Sequence, residues 1–84
     1  MYGMVTIKDD FTLSGLPRTD AVIRKTIEEC EDLIIDAEGV TSVDVAALQL
    51  LIAARKECLK RGQELIIRKS EILAKAMKSL GIEL

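Results

Sequence analysis

Apolar residues near the start of the chain recur at every second position, which is the spacing of a β-strand. Met4–Lys8 alternate apolar and polar side chains, and Phe11–Ser14 do so again after a pair of aspartates. Two short alternating runs separated by two polar residues predict a β-hairpin. Gly15 and Pro17 then interrupt the pattern, so we expect the second strand of the hairpin to end there.

The spacing changes to three and four residues in later segments, which predicts amphipathic helices. In the first, Thr19 or Asp20 is positioned to cap the helix, and its apolar face is formed by Ile23, Ile27 and Cys30. The longest helix is predicted from Asp44 to about Arg61. Its apolar stripe is formed by Ala47, Leu48, Leu50, Leu51, Ile52, Ala54, Cys58 and Leu59.

A last helix is predicted after Ser70, which is positioned as its N-cap. Its apolar face is formed by Leu73, Ala76, Met77 and Leu80. Gly62 and Gly81 follow the second and third helices, where a glycine in the left-handed conformation commonly ends a helix.

Two continuous apolar runs, Leu33–Ile35 and Leu65–Ile67, lie between the helices. Such runs are typical of strands that are covered on both faces, as in parallel sheets flanked by helices. The predicted order is therefore hairpin, helix, strand, helix, strand, helix, with right-handed crossovers between parallel strands. We expect one α/β domain over residues 1–84, with a mixed sheet of about four strands and three or more helices packed on it.

Composition removes several classes of function. The 84 residues contain no histidine, which excludes Ser-His and Cys-His nucleophile pairs and histidine-based zinc sites. Tyr2 and Phe11 are the only aromatic residues and the formal net charge is −2, whereas nucleic-acid modules rely on aromatic platforms and basic surfaces. We therefore expect no enzymatic activity, no cofactor or metal, and no nucleic-acid partner.

Two cysteines, Cys30 and Cys58, lie near the ends of predicted helices. Isolated cysteines of this kind indicate reduced thiols in a cytosolic protein. Met1 is not followed by a secretory apolar segment. The longest nearly apolar run, Ala46–Ala54, is far shorter than the roughly 20 residues that span a bilayer. We expect a soluble cytoplasmic protein that does not insert into the membrane.

The segment Asp36–Leu48 connects the middle predicted strand to the longest helix, and it reads Asp-Ala-Glu-Gly-Val-Thr-Ser-Val-Asp-Val-Ala-Ala-Leu. It resembles the signature loop of STAS domains, the fold of bacterial anti-sigma factor antagonists. Leu13–Gly15 and Leu80-Gly81 match further family positions, so that the resemblance covers nearly the whole chain. It implies the STAS-like α/β fold.

The family usually reads Asp-Ser-Ser-Gly-Leu or Asp-Thr-Ala-Gly-Leu where this chain reads Asp44–Leu48. The resemblance therefore places the family's phosphoacceptor on Ala46, whose methyl group cannot be phosphorylated. Thr41 and Ser42 are the remaining hydroxyls of the loop. They are either turn-stabilising groups or alternative phosphorylation sites.

The resemblance implies a partner-binding surface on the predicted loop and the start of the helix. Its residues are Glu38, Thr41, Ser42, Asp44, Val45, Ala46 and Ala47. Asp44 also suits the N-cap of the helix, accepting from the amide of Ala46 or Ala47. Asp36 and Glu38 are paired carboxylates, for which solvated or capping roles are favoured over metal binding.

The function that the resemblance implies is a non-enzymatic signalling module that binds an anti-sigma factor or serine kinase. Two alternatives stay open. The short chain and Gln49 resemble compact STAS domains, which include an accessory subunit that binds the ATPase of lipid-transport ABC systems and signalling proteins of chemotaxis clusters. The oligomeric state is not predicted.

Overall fold

The computed structural model describes residues 2–82. A short 3-10 turn, Leu13–Gly15, follows the first strand. The strands and helices, in chain order, are β1 (Tyr2–Phe11), α1 (Leu16–Glu29), β2 (Asp32–Val43), α2 (Val45–Lys60), β3 (Leu65–Lys69) and α3 (Glu71–Ser79).

The strands of residues 2–82 form a three-stranded sheet in the order β1-β2-β3, and both pairs are parallel. Val5, Ile35 and Ile67 lie side by side across it. The predicted α/β architecture and the parallel pairing of the buried strands are confirmed. The sheet has three strands in this part of the chain, one fewer than the expected number.

The predicted hairpin is wrong, because β1 continues through the two aspartates without turning back. Asp9 has φ of +60°, a left-handed conformation that aspartate tolerates better than most residues. Asp9 pairs with Val40 and Phe11 with Val43, with irregularities in the ladder on either side of Asp9. Local distortion of one strand therefore takes the place of the predicted turn.

The same pairing makes β2 much longer than predicted. Its first half, from Asp32 to Ala37, lies between β1 and β3, whereas Glu38–Val43 pair only with β1. Much of the predicted signature loop is therefore extended strand. Ser70, the residue after β3, donates its amide to the carbonyl of Ala37 at 3.2 Å. Ala37 is also the last residue of β2 that pairs with β3.

The helices cover one face of the sheet, which corrects the expectation that the strands of the two apolar runs are covered on both faces. The buried side chains of β1 and β2 alternate with exposed or half-buried ones along each strand, as expected when only one face is packed. The core on the packed face is formed by Val5, Ile7, Phe11, Ile23, Ile27, Leu33, Ile35, Ala37, Val40, Ala47, Leu48, Leu51, Ala54, Cys58, Leu73 and Met77.

Helix α1 begins earlier than predicted. Gly15 is its N-cap and Pro17 lies in its first turn, where a missing amide costs no helical hydrogen bond. Thr19 donates its hydroxyl to the carbonyl of Gly15, and Asp20 pairs with Arg24 at 2.9 Å. Neither residue caps the helix as predicted, because both lie inside it.

The other helix boundaries agree with the sequence. The side chains of Asp44 and Ser70 cap α2 and α3 by accepting the amides of Ala47 and Leu73. Gly62 and Gly81 have φ of +70° and +68°, which other residues adopt only with strain. In contrast, Leu59 and Leu80 are exposed rather than part of their apolar faces.

Gln63 joins elements that are far apart in the chain. Its side-chain amide donates to the carbonyls of Ile27 and Cys30, at 2.9 and 2.8 Å. These groups belong to the last turn of α1 and its cap, where carbonyls lack helical partners. Gln63 therefore fixes the end of α1 against the turn that follows α2.

No helix among residues 2–82 is long and apolar enough to cross a bilayer.

Candidate functional site

Asp44 organises the end of the sheet from which α2 begins. Its Oδ1 accepts the amide of Ala47 and its Oδ2 accepts the amide of Leu13, both at 2.9 Å. These hydrogen bonds favour the ionised carboxylate and hold the pKa of Asp44 below its ordinary value, that from Ala47 contributing most. The predicted N-cap is confirmed, and the same carboxylate also fixes the turn after β1.

Two apolar side chains beside this carboxylate face solvent. Val45 is 57% exposed and Leu13 is 66% exposed. The backbone amide of Leu13 donates a hydrogen bond to the side chain of Asp44, the residue that precedes Val45. We call these two side chains the Leu13–Val45 patch. It lies at the carboxyl ends of β1 and β2, the edge at which open α/β sheets commonly bind their ligands.

The two alanines after Val45 differ in accessibility. Ala46 is half-buried in the first turn of α2, whereas Ala47 is completely buried in the core. The side chain of Ala47 is therefore unavailable to a partner, which corrects its assignment to the contact surface. The side chain of Ala46 retains contact with solvent, so the position that resembles the phosphoacceptor is on the surface.

Thr41 and Ser42 lie in β2 rather than in a loop. The hydroxyl of Ser42 donates to Oδ1 of Asp10 at 2.7 Å, which ties the ends of the two strands together. Thr41 is exposed and lies at a point where the register between β1 and β2 shifts. Of the two hydroxyls, that of Thr41 is the more accessible to a modifying enzyme.

The side chain of Asp36 forms a local hydrogen bond with the backbone of Glu38. Oδ1 of Asp36 accepts the amide of Glu38 at 3.2 Å, next to the irregularity in the pairing of β2 with β1. Glu38 is exposed. Within residues 2–82 no group of three or more histidine, cysteine or acidic residues is arranged to hold a metal ion.

Sequence reasoning misses one residue of this site. The alternating pattern places Leu13 in a hairpin strand, but Leu13 begins the 3-10 turn and its amide donates to Asp44, the residue before Val45. The signal was present in the chain, since an apolar residue next to Ser14 and Gly15 belongs as readily to a turn as to a strand.

Comparison with known proteins supports the fold. The crystal structure of a sulfate transporter family protein from Wolinella succinogenes is similar, with a TM-score of 0.74 and 18% sequence identity. The alignment covers 95% of this chain and 66% of that chain, so the chain spans slightly less than two thirds of its neighbour's length. At this identity the likeness shows the fold alone. No curated protein matches the chain.

A family model, described as "Mlab, STAS domain", matches residues 3–83. The match spans almost the entire sequence, including the three strands, the three helices and the Asp44 site. The resemblance inferred from the residues is confirmed: the chain belongs to the STAS domain family.

Proposed function

We propose that this STAS domain is a non-enzymatic regulatory module that binds a protein partner through the start of α2. The observation that carries this proposal is the exposure of Val45 and Leu13 beside an ordered cap. Single exposed apolar residues are common on protein surfaces, but here the backbone of Leu13 is bound to the side chain of Asp44, the residue before Val45. A rigid apolar contact reduces the conformational entropy that is lost on binding.

The module has no phosphoacceptor at its usual family position. A phosphate in the first turn of α2 would add a charge of about −2 beside the carboxylate of Asp44. The methyl group of Ala46 cannot accept it, so the docking surface stays in its unmodified form. Partner abundance, rather than phosphorylation at residue 46, then controls the complex.

The leading partner class is an anti-sigma factor or serine kinase, as the family resemblance implies. Thr41 and Ser42 precede the apolar contact on the extended end of β2, with Asp10 bound to Ser42, and Glu38 lies farther back along the same strand. Such a polar border around an apolar centre is typical of protein interfaces. The contact surface consists of Leu13, Glu38, Thr41, Ser42, Asp44, Val45 and Ala46.

A second candidate is an accessory subunit of a transport system, binding the ATPase of a lipid-transport ABC complex. The observation that favours it is the match of residues 3–83 to the family model described as "Mlab, STAS domain", because the compact STAS domains include a subunit of this kind. The contact surface would be the same, and only the identity of the partner would differ.

Affinity purification from the native host tests the proposal. Val45→Arg places a charge in the Leu13–Val45 patch, and Val22→Arg is a matched control at a valine of α1 that is 47% exposed. We expect Val45→Arg to lose the partner and Val22→Arg to keep it. Equal recovery by both variants would reject the start of α2 as the docking surface.

Mass spectrometry of the captured partner separates the candidates. A serine kinase or anti-sigma factor supports the leading assignment, and a P-loop ATPase supports the transport assignment. Recovery of a chemotaxis kinase complex would replace both with the third class implied by the family.

A further inference from the structure

The two outer strands of the sheet each have an open side in residues 2–82, but they differ in regularity. β1 has a left-handed residue at Asp9 and two shifts in its register with β2. Irregularities of this kind interrupt pairing along an edge. β3 pairs with β2 without a shift from Leu65 to Lys69. Because a regular edge presents a row of backbone donors and acceptors, β3 is the strand that can accept a further neighbour.

Alternate residues of β3 direct their backbone groups to the open side. At the two ends of the ladder with β2, the carbonyl of Glu64 accepts the amide of Leu33 at 2.9 Å, and the amide of Ser70 donates to Ala37 at 3.2 Å. Successive residues of a strand point these groups to opposite sides, so residues 64, 66, 68 and 70 bond to β2. Residues 65, 67 and 69 face outward, each with one donor and one acceptor.

A cavity of about 260 Å³ lies between this edge and the last turns of α2. Residues of α2, β3 and the turn between them line it and none of β2 does, so it opens at the outer side of the sheet. Leu59 on its wall is 61% exposed, and Leu65 and Ile67 are half-buried. The volume is below that of most small-molecule sites, about 300–1,000 Å³. The cavity therefore suits one or two apolar side chains of a larger partner.

The carboxyl end of this edge is positively charged. Arg68 and Lys69 end β3 and are both exposed, and Arg55 lines the cavity. None of the three forms an ion pair within residues 2–82. At the other end Glu64 precedes β3, and its carboxylate accepts the hydroxyl of Tyr2. The edge therefore favours a partner that is acidic where it meets the end of β3.

We propose that β3 binds an extended, acidic peptide segment of a partner protein, which adds to the sheet as a fourth strand antiparallel to β3. The outward donors and acceptors recur at every second residue, and an extended backbone matches this spacing, whereas the backbone groups inside a helix are already bonded. Antiparallel pairing is the more stable of the two orientations. Acidic residues of the segment then lie opposite Lys69 and Arg68. Apolar residues lie opposite Ile67 and Leu65, where their side chains enter the cavity.

This site is separate from the Leu13–Val45 patch. Val45 and Leu59 belong to the first and last turns of α2, and at 1.5 Å per residue they are about 20 Å apart along the helix axis. No residue of the patch lies in β3 or lines the cavity. A segment bound to β3 therefore leaves the start of α2 free for the partner proposed above.

A synthetic peptide, acetyl-Glu-Glu-Leu-Thr-Leu-Lys-amide, is the probe for this site. Its first glutamate is placed opposite Lys69 and its lysine opposite Glu64. We expect saturable binding, followed by NMR of the isotope-labelled chain, and weaker binding of the reversed sequence. Amide hydrogen exchange should slow at residues 65, 67 and 69, because their N–H groups gain acceptors. Exchange at residues 66 and 68, whose N–H groups already bond to β2, should change less.

Methylation of single peptide nitrogens tests whether the peptide binds as a strand. The first leucine lies opposite Ile67 and donates its N–H to that carbonyl, so an N-methyl group there removes a bond and collides with β3. We expect a loss in affinity of about tenfold. The N–H of the threonine, opposite Ile66, points away from β3. Its N-methylated peptide is the matched control and should bind like the parent peptide.

Two variants of the chain test the cavity and the charges. Leu59→Arg places a charge where an apolar side chain would be buried, and we expect it to weaken binding by about tenfold, whereas Val22→Arg on α1 does not. Lys69→Glu places like charges opposite one another and weakens binding several-fold. A peptide with lysine in place of its first glutamate recovers it. Lys25→Glu, at an exposed position of α1, is the control for net charge, and circular dichroism establishes that each variant folds.

Three results would overturn the proposal. They are no binding of the peptide at millimolar concentration, equal binding of the two N-methylated peptides, and binding that Leu59→Arg leaves intact. A dimer in sedimentation equilibrium that Leu59→Arg abolishes would assign the edge to a second copy of the chain instead. Val45→Arg leaves peptide binding unchanged, so failure here is separate from failure of the proposed function.

Discussion

Oδ2 of Asp44 accepts the backbone amide of Leu13 at 2.9 Å, although 31 positions separate the two residues. The other carboxylate oxygen caps α2 through Ala47. One side chain therefore fixes the turn after β1 and the start of α2 together. This double role explains how a half-buried aspartate orders a surface that consists otherwise of side chains in contact with solvent.

Asp44→Asn is expected to lower the free energy of unfolding at neutral pH, because a single amide oxygen replaces two carboxylate oxygens. The pKa of Asp44 is depressed in the folded state, so its contribution is present above the unfolded pKa of about 4 and is lost as pH falls through the folded value. Urea unfolding at neutral and acidic pH measures this. A difference between variant and wild type that stays constant across pH would contradict it.

Gly3→Ala is expected to destabilise the protein by about 1–3 kcal/mol, the usual cost of overpacking a core. A Cβ at Gly3 would lie 2.4 Å from Cγ2 of Thr26 and 2.6 Å from Sγ of Cys30, so the side chains of α1 or the strand itself would have to shift. Thermal unfolding measures the loss. Gly15→Ala is the control for steric space, since its Cβ meets nothing within 4 Å, and it should lose less stability than Gly3→Ala, only what a weaker N-cap costs.

The two thiols should react at different rates. Cys58 is buried, and desolvation raises the pKa of its thiol, which lowers the amount of reactive thiolate. Cys30 is partly exposed at the end of α1. A thiol reagent at mildly alkaline pH should label one cysteine rapidly in the folded protein and both after unfolding. Peptide mapping that places the rapid label on Cys58 would contradict the structure.

Ala46→Asp is expected to raise the stability of the fold and to weaken partner binding. A negative charge in the first turn of α2 interacts favourably with the helix dipole, by about 0.3–1 kcal/mol. At the proposed docking surface the same charge stands in for a phosphate and should reduce partner recovery by about tenfold. Thermal unfolding and the affinity purification described above measure the two effects. Unchanged recovery would remove residue 46 from the interface.

The wild-type chain should accept no phosphate at residue 46 from a cognate kinase, whereas Ala46→Ser should accept it. Mass spectrometry of both proteins after incubation with kinase and ATP locates any phosphate. Phosphate on Thr41 of the wild type would show that control by phosphorylation has moved along β2, and the docking surface would then be switchable. Thr41→Val is the control for that site.

The sequence predicted most of this architecture where apolar residues decide it. Most of the α2 stripe is buried, Leu33 and Ile35 lie in the core and Leu65 and Ile67 pack against it, because burial of apolar surface dominates their energy. Ile34 and Ile66, which belong to the same two runs, lie on the face that the helices leave uncovered. The caps at Asp44 and Ser70 were also predicted. Each follows from a local side-chain hydrogen bond that needs no knowledge of the rest of the fold.

The prediction failed where polar residues take part in long-range pairing. Asp9 lies within β1 and Glu38 within β2, in the stretch where these two strands pair. Hydropathy alone assigns such polar residues to turns. The position of Leu13 failed for a related reason, since the bond that presents it comes from Asp44, far along the chain. Most residues of the proposed contact surface come from the family resemblance and stay a prediction, and Leu13 was not among them.

Leu13 contributes only its backbone amide to the bond with Asp44, and every residue except proline has that amide. Its side chain can therefore change from one homologue to another without loss of the bond that positions it. Evolution can vary the chemistry of this contact while the architecture around it stays constant. On the proposed docking surface, copies of such a domain could thus differ in partner through the residue at position 13.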